Sequence, residues 1–197
     1  MNQKKMTRLD NPVAKYLKQM HDAKTHFNGR ESLSDYFYPT IENLLLREGR
    51  LFRTHFTNKE EKIVKELFKD LADNGRHTQQ KQCYYNSQMA LLTYSGVHRS
   101  DLSYVEGYGY DPKIGLPIQH GFLAYKGKII DLTWGKSDYG IAERQNIVYY
   151  GIEISQKDLM KSISDTNAVQ SHLDAYWAKY KILQNKFVNN KPYLNHE

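Results

Sequence analysis

The chain of 197 residues holds one cysteine, Cys83, so no disulfide can form within it and its stability has to come from packing and hydrogen bonding. No stretch approaches the ~18 consecutive apolar residues of a membrane-spanning helix. Met1 to Asp10 is charged with no apolar run behind it, which is not the pattern of a secretory signal. The expectation is a cytoplasmic protein with no membrane partner. Also missing are an internal repeat, a low-complexity tract, a glycine-rich phosphate loop and any Cys/His cluster with metal-ligand spacing, so no cofactor and no metal are expected. His172 and His196 have no ligating neighbours at useful spacing.

What is present argues for a folded chain. Hydrophobic residues make up 40%, on the low side for a globular protein, but aromatic residues make up 13%, with sixteen tyrosines, which argues against disorder. The 28 Lys and Arg outnumber the 22 Asp and Glu for a net charge of +6, but the excess is diffuse and forms no basic block. It supports at most a weak, nonspecific contact with nucleic acid. The length suits one well-buried core.

Asn11-Pro12 reads as an N-cap and first-turn proline for a helix carrying Val13, Leu17 and Met20. A second helix runs from near Pro39 through Ile41, Leu44 and Leu45 to Gly49. A third follows Asn58 with the apolar stripe Ile63, Val64, Leu67, Phe68 and Leu71, ending at Asn74-Gly75. Residues 1–76 are thus expected to form a helical extension packed on a core of residues 77–197. That core reads as α+β: a helix from Cys83 to about Tyr94 stopped by Gly96, then a small antiparallel sheet of at least four strands. After it come a short helix or turn over 155–164 and a longer helix from Thr166 or Asn167 to about Leu183, carrying Val169 and Leu173.

Three residues stand in an order that suits thiol chemistry: Cys83, His120 and Asp131. A thiol is a weak nucleophile until a base takes its proton, and an imidazole base needs a third group to fix its tautomer. Cys83 follows a polar run and opens a helix, where the positive end of the dipole favours the thiolate. The stretch from Ile118 to Leu132 reads as a hairpin with Lys126-Gly127 at its centre. A two-residue loop there pairs residue i with residue 253 − i, which puts His120 and Asp131 on one face as diagonal neighbours, with Cβ atoms about 7 Å apart. A change of one residue in the loop would place them on opposite faces. Glu106, on a strand expected beside that of His120, rivals Asp131 as the orienting carboxylate. His98 and Asp101 form a weaker rival pair in a turn-like stretch. The loop from Gly109 to Pro117, with Tyr110, is long enough to border a substrate cleft, and Trp134 follows Asp131 closely enough to roof the site.

Cys83 opening a helix, then Tyr104-Val105-Glu106-Gly107-Tyr108, Gln119-His120-Gly121-Phe122 and Asp131-Leu132-Thr133-Trp134, resembles the core of the transglutaminase-like branch of the papain-like cysteine proteases over roughly residues 80–155. The resemblance implies a helix packed on an antiparallel sheet and acyl-transfer or amide-hydrolysis chemistry on a protein, peptide or small amide substrate. In it Cys83 is the nucleophile, His120 the base and acid, and Asp131 the orienting carboxylate. The sequence departs from the family in having Phe122 where a tryptophan is usual, and it has no glutamine at a papain-like distance upstream of Cys83. Gln79, Gln80 and Gln82 are the remaining oxyanion candidates. The alternative reading is a non-enzymatic binding module that keeps this scaffold and contacts nucleic acid or an acidic protein through its basic surface.

Overall fold

The computed structural model describes residues 11–27, 38, 40–52, 54–73, 81–134 and 146–173. In chain order the elements are α1 (Pro12–Phe27), α2 (Ile41–Glu48), β1 (Arg50–Phe52), α3 (Asn58–Asp73), α4 (Cys83–Thr93), β2 (Leu102–Tyr110), β3 (Pro117–Tyr125), β4 (Lys128–Ile130), β5 (Val148–Ile154) and α5 (Gln156–Thr166). The fold is α+β, with one antiparallel sheet in the order β1-β5-β2-β3-β4. No helix among the described residues is long and apolar enough to cross a membrane.

The helix ends form where short polar side chains can serve orphan backbone donors. Asn11 Oδ1 accepts the N–H of Ala14 (2.8 Å), Thr40 Oγ1 that of Asn43 (3.1 Å) and Ser155 Oγ that of Asp158 (3.0 Å). Within the stretch read as a helical extension, residues 50–52 form β1 and pair with β5. The N-terminal stretch therefore supplies a sheet edge as well as helices. Asn167 adopts φ 52°, ψ 32° and terminates α5, since a left-handed residue cannot continue the helix. The longer helix expected from Thr166 or Asn167 does not begin there. Residues 167–171 are irregular, helical backbone resumes only at His172, and the rest of that expectation lies outside the described residues. The Cys83 helix likewise ends at Thr93, capped by Tyr94 in extended conformation, before Gly96 is reached.

Strand alternation sorts the sheet into two faces. Leu102, Tyr104 and Tyr108 of β2, Leu123 and Tyr125 of β3, and Tyr150, Ile152 and Ile154 of β5 join Val13, Leu17, Leu44, Leu45, Val64, Leu67 and Leu91 in the main core. The opposite face carries Phe52, Val105, Phe122, Ala124, Ile129 and Tyr149 in a second, smaller cluster, and every member comes from a strand. Phe52 and Phe122 lie on strands with β5 and β2 between them, yet their rings meet edge to face at 5.4 Å. Flat strands so placed would be about 14 Å apart, so the sheet curls around this second cluster. Gly107 and Gly151 permit the curl: a Cβ at Gly107 would sit 2.1 Å from the Tyr150 carbonyl oxygen.

Candidate active site

The β3–β4 turn sets the geometry of the site. Lys126 (φ 49°) and Gly127 (φ 76°) both take positive φ, the signature of a two-residue type I′ turn. The ladder pairs Leu123 with Ile130, Ala124 with Ile129 and Tyr125 with Lys128, the register expected from the sequence. Strand pairing stops at Ile130 rather than running on to Leu132. Asp131 instead opens a turn in which its Oδ1 accepts the backbone N–H groups of Thr133 (2.9 Å) and Trp134 (3.0 Å). Its Oδ2 faces His120, whose Nε2 lies 2.9 Å away. Both side chains are buried.

The end of β4 leaves the backbone of Gly121 on β3 without a strand partner on that side, and α4 takes the strand's place. Ser87 Oγ donates to the Gly121 carbonyl (3.1 Å), and the Gly121 N–H is near enough to the Cys83 thiol to favour its ionised form. A side chain at Gly121 would prevent this approach, because its Cβ would stand 2.8 Å from Tyr84 Cδ1 and 3.3 Å from Tyr84 Cα. Three consecutive buried polar residues fix α4 in place. Asn86 Nδ2 donates to Thr133 Oγ1 (2.9 Å), Ser87 reaches β3, and Gln88 Nε2 donates to Tyr104 Oη (2.9 Å) and to the Gln170 carbonyl (2.7 Å). Lys81 holds φ 61°, a conformation uncommon outside glycine, and turns the chain into the helix so that Cys83 occupies its first position.

The half-buried Cys83 thiol lies near enough to the His120 ring for each to shift the other's pKa. Since Nε2 is engaged by Asp131, Nδ1 is left for the sulfur. Burial pushes the thiol pKa up, but the hydrogen-bonding capacity and charge of His120, together with the N–H groups of Gly121 and Tyr84, outweigh it and hold the thiol below its usual 9.0. Burial likewise pushes His120 down, and the charge and hydrogen bond of Asp131, helped by Cys83, overcome it and raise the imidazole to about 9. Both shifts favour a thiolate–imidazolium pair. Trp134 stacks on the His120 ring at 4.1 Å and 16°, shielding the pair from water. It fits because Gly109 has no side chain: a Cβ there would be 2.5 Å from the indole.

The structure thus brings Cys83, His120, Asp131 and Trp134 together and leaves the other candidates apart. Glu106 is buried on the opposite face of β2. It accepts from Tyr104 Oη (2.6 Å), Ser171 Oγ (2.9 Å) and the backbone N–H groups of His172 and Leu173, so it anchors the 171–173 segment and does not orient His120. His98 and Asp101 lie 3.8 Å from each other beside Lys126, which pairs with Asp101 at 3.2 Å. Gln82 is exposed at the N-cap of α4 and makes no capping bond with its side chain; Gln79 and Gln80 lie outside the described residues. Tyr110 packs against the main core. Sequence reasoning missed Tyr149, which donates its hydroxyl to Asp131 Oδ2 (2.7 Å). The signal available for it was the burial expected of Asp131, which demands more donors than one histidine provides. Comparisons with protein-family models, curated proteins and solved structures return no match to this chain.

Proposed function

We propose that the protein is a thiol-dependent acyl-transfer enzyme of papain-like, transglutaminase-like design, with Cys83 as nucleophile, His120 as base and acid, and Asp131 as orienting carboxylate. The observation that carries this reading is the buried His120–Asp131 pair, Nε2 2.9 Å from Oδ2, with the one thiol placed where His120 lowers its pKa. The Cys83 thiolate attacks an amide or ester carbonyl, forming a C–S bond as the carbonyl π pair moves to oxygen. The backbone N–H of Cys83, at the positive end of α4, stabilises that oxyanion. Collapse breaks the bond to the leaving amine or alcohol, which takes the His120 proton. The acyl thioester is then attacked by water, giving hydrolysis or deamidation, or by an amine, giving transfer; His120 receives the proton of the attacking group, and collapse of the second tetrahedral intermediate breaks the C–S bond and returns Cys83 as the thiolate.

The acyl donor is a protein, peptide or small amide. The loop between β2 and β3 exposes Ile114 and Leu116, and Ile118, on the His120 face of β3, is also exposed; these favour an apolar acyl donor. A nucleophile that must remain a free thiol suits a reducing, cytoplasmic setting.

Brief treatment with iodoacetamide at pH 6, read by intact mass, tests the reading. An ordinary thiol of pKa about 8.5 is almost fully protonated there and slow. Cys83 should be alkylated at least about tenfold faster than free cysteine, and His120→Ala should remove the excess. Labelling no faster than free cysteine would mean that the scaffold serves binding instead.

A further inference from the structure

The geometry points to Tyr149 as a positioning residue for the His120–Asp131 pair, one that holds Asp131 Oδ2 in place and shares its charge. The inference rests on the triad reading above and adds a residue to it.

Among the described residues Asp131 accepts hydrogen bonds from Thr133 N–H and Trp134 N–H on Oδ1 and from His120 Nε2 and the Tyr149 hydroxyl on Oδ2. A carboxylate offers roughly four lone-pair sites, and both of its oxygens are engaged here. The two donors to Oδ1 come from the carboxylate's own turn, whereas Tyr149 comes from β5, across β2 and β3. The carboxyl plane is therefore clamped from both sides, and Nε2 meets a fixed acceptor. Packing alone does not account for the hydroxyl. The Tyr149 ring is fully buried and meets Phe122 edge to face at 5.1 Å, contacts that phenylalanine would make equally well without burying a polar atom.

The hydroxyl also acts on the proton. A hydrogen bond donated to Oδ2 draws charge from the oxygen that faces Nε2, which weakens its hold on the imidazolium and eases release of the Nδ1 proton to a leaving group. Among the described residues the titratable groups facing this pair are Cys83 from α4 and Tyr149 from β5; Phe122 and Trp134 are uncharged. The other charges described on this face of β1 and β5, Arg50 and Glu153, pair with each other toward the Gly127 end, and Glu106 lies on the opposite face.

Two replacements at position 149 test the role in the full-length protein. Tyr149→Phe removes the donor, and site-specific 3-fluorotyrosine strengthens it by making the phenol more acidic. The readouts are the His120 titration by NMR of the ring and the pH profile of Cys83 alkylation by iodoacetamide. The Phe variant should move the His120 midpoint up by about 0.5–1 pH unit, and the fluorinated protein should move it down. A group that serves packing alone gives no opposed pair of shifts. Absence of a downward shift with fluorotyrosine overturns the inference even where the Phe variant fails to fold, and a midpoint within about 0.2 unit of wild type in a folded Phe variant overturns it as well. If the unaltered protein shows no accelerated alkylation at pH 6, it is the triad reading that fails. Accelerated alkylation with neither shift removes Tyr149 alone.

Discussion

Replacing Gly121 by alanine probes how the thiol is delivered to the histidine. The added Cβ would lie 2.8 Å from Tyr84 Cδ1, 3.1 Å from Tyr104 Oη and 3.3 Å from Tyr84 Cα. The Tyr84 ring can swing away, but its Cα belongs to the first turn of α4, and Tyr84 follows Cys83 directly. To reach ordinary contact near 3.4 Å the ring edge must retreat by roughly 0.6 Å and the backbone by a smaller amount, which carries Cys83 away from His120 and the Gly121 N–H. Overpacking of this kind costs about 1–3 kcal/mol, a fall in Tm of about 2–12 °C for a chain of this size. A misplacement of about 1 Å at a reacting group costs on the order of a hundredfold in rate; the backbone shift here is a fraction of that, so alkylation of Cys83 at pH 6 should slow by roughly a few-fold. Gly115→Ala is the control. That residue has φ +76° with nothing within 4 Å of the new Cβ, so backbone strain should lower stability by about 1–2 kcal/mol and leave alkylation unchanged. A Gly121→Ala protein that loses stability as expected while Cys83 reacts at the wild-type rate would show that the close approach of α4 to β3 does not set the position of the thiol.

Asp131→Asn should keep the fold and lower turnover by about four orders of magnitude, because an amide cannot stabilise the imidazolium and selects the wrong tautomer; Glu106→Gln should leave Cys83 alkylation within about twofold of wild type, since a rate changes tenfold only for each ~1.4 kcal/mol and Glu106 faces away from the site. A dead Glu106→Gln with an active Asp131→Asn would reverse the two roles. Burial raises Glu106 to about 7, against hydrogen bonds that lower it, and burial lowers His172 to about 3. For Glu106 the native state holds the proton longer than the unfolded chain, so its contribution is present below about pH 4.5 and lost as pH rises through about 7. His172 contributes stability above about pH 6.5 that is lost as pH falls toward 3. Between about pH 4.5 and 6.5 the two slopes oppose, and unfolding free energy from urea titrations should be nearly flat there. Glu106→Gln removes one slope, so stability should then rise with pH by up to about 1.4 kcal/mol per unit; a curve as flat as wild type would show that His172 does not stay neutral.

The parts of the site that sequence made legible are those governed by local periodicity. The hairpin register follows from alternation on either side of Lys126-Gly127, and once it is known the shared face of His120 and Asp131 follows by parity. The start of α4 was legible because a polar run meets an apolar one at Cys83. The same parity would have excluded Glu106, which pairs with Gly121 and therefore faces away from His120, but the β2–β3 register depends on a six-residue loop whose closure the sequence does not announce. Tyr149 was illegible because β5 joins the sheet beside β2, a strand remote in sequence. The start of the tail helix was misjudged because apolar spacing across Val169 and Leu173 continues past Asn167, where one backbone conformation breaks the helix regardless of pattern. β1 is too short, at three residues, to show a period at all.

The buried triplet Asn86-Ser87-Gln88 bears on how many arrangements of the site the molecule visits. A helix seated by grease alone can rotate or slip along its axis at small cost, because one apolar side chain replaces another. Here any rotation or one-turn slip of α4 withdraws three polar side chains from partners on three separate parts of the fold. Each group so stranded costs about 1–3 kcal/mol. Misregistered forms then lie at least about 3 kcal/mol above the native one, which leaves fewer than about one molecule in a hundred with its sulfur away from the imidazole. A reactive-thiol titration should therefore report one homogeneous population, reacting in a single exponential phase.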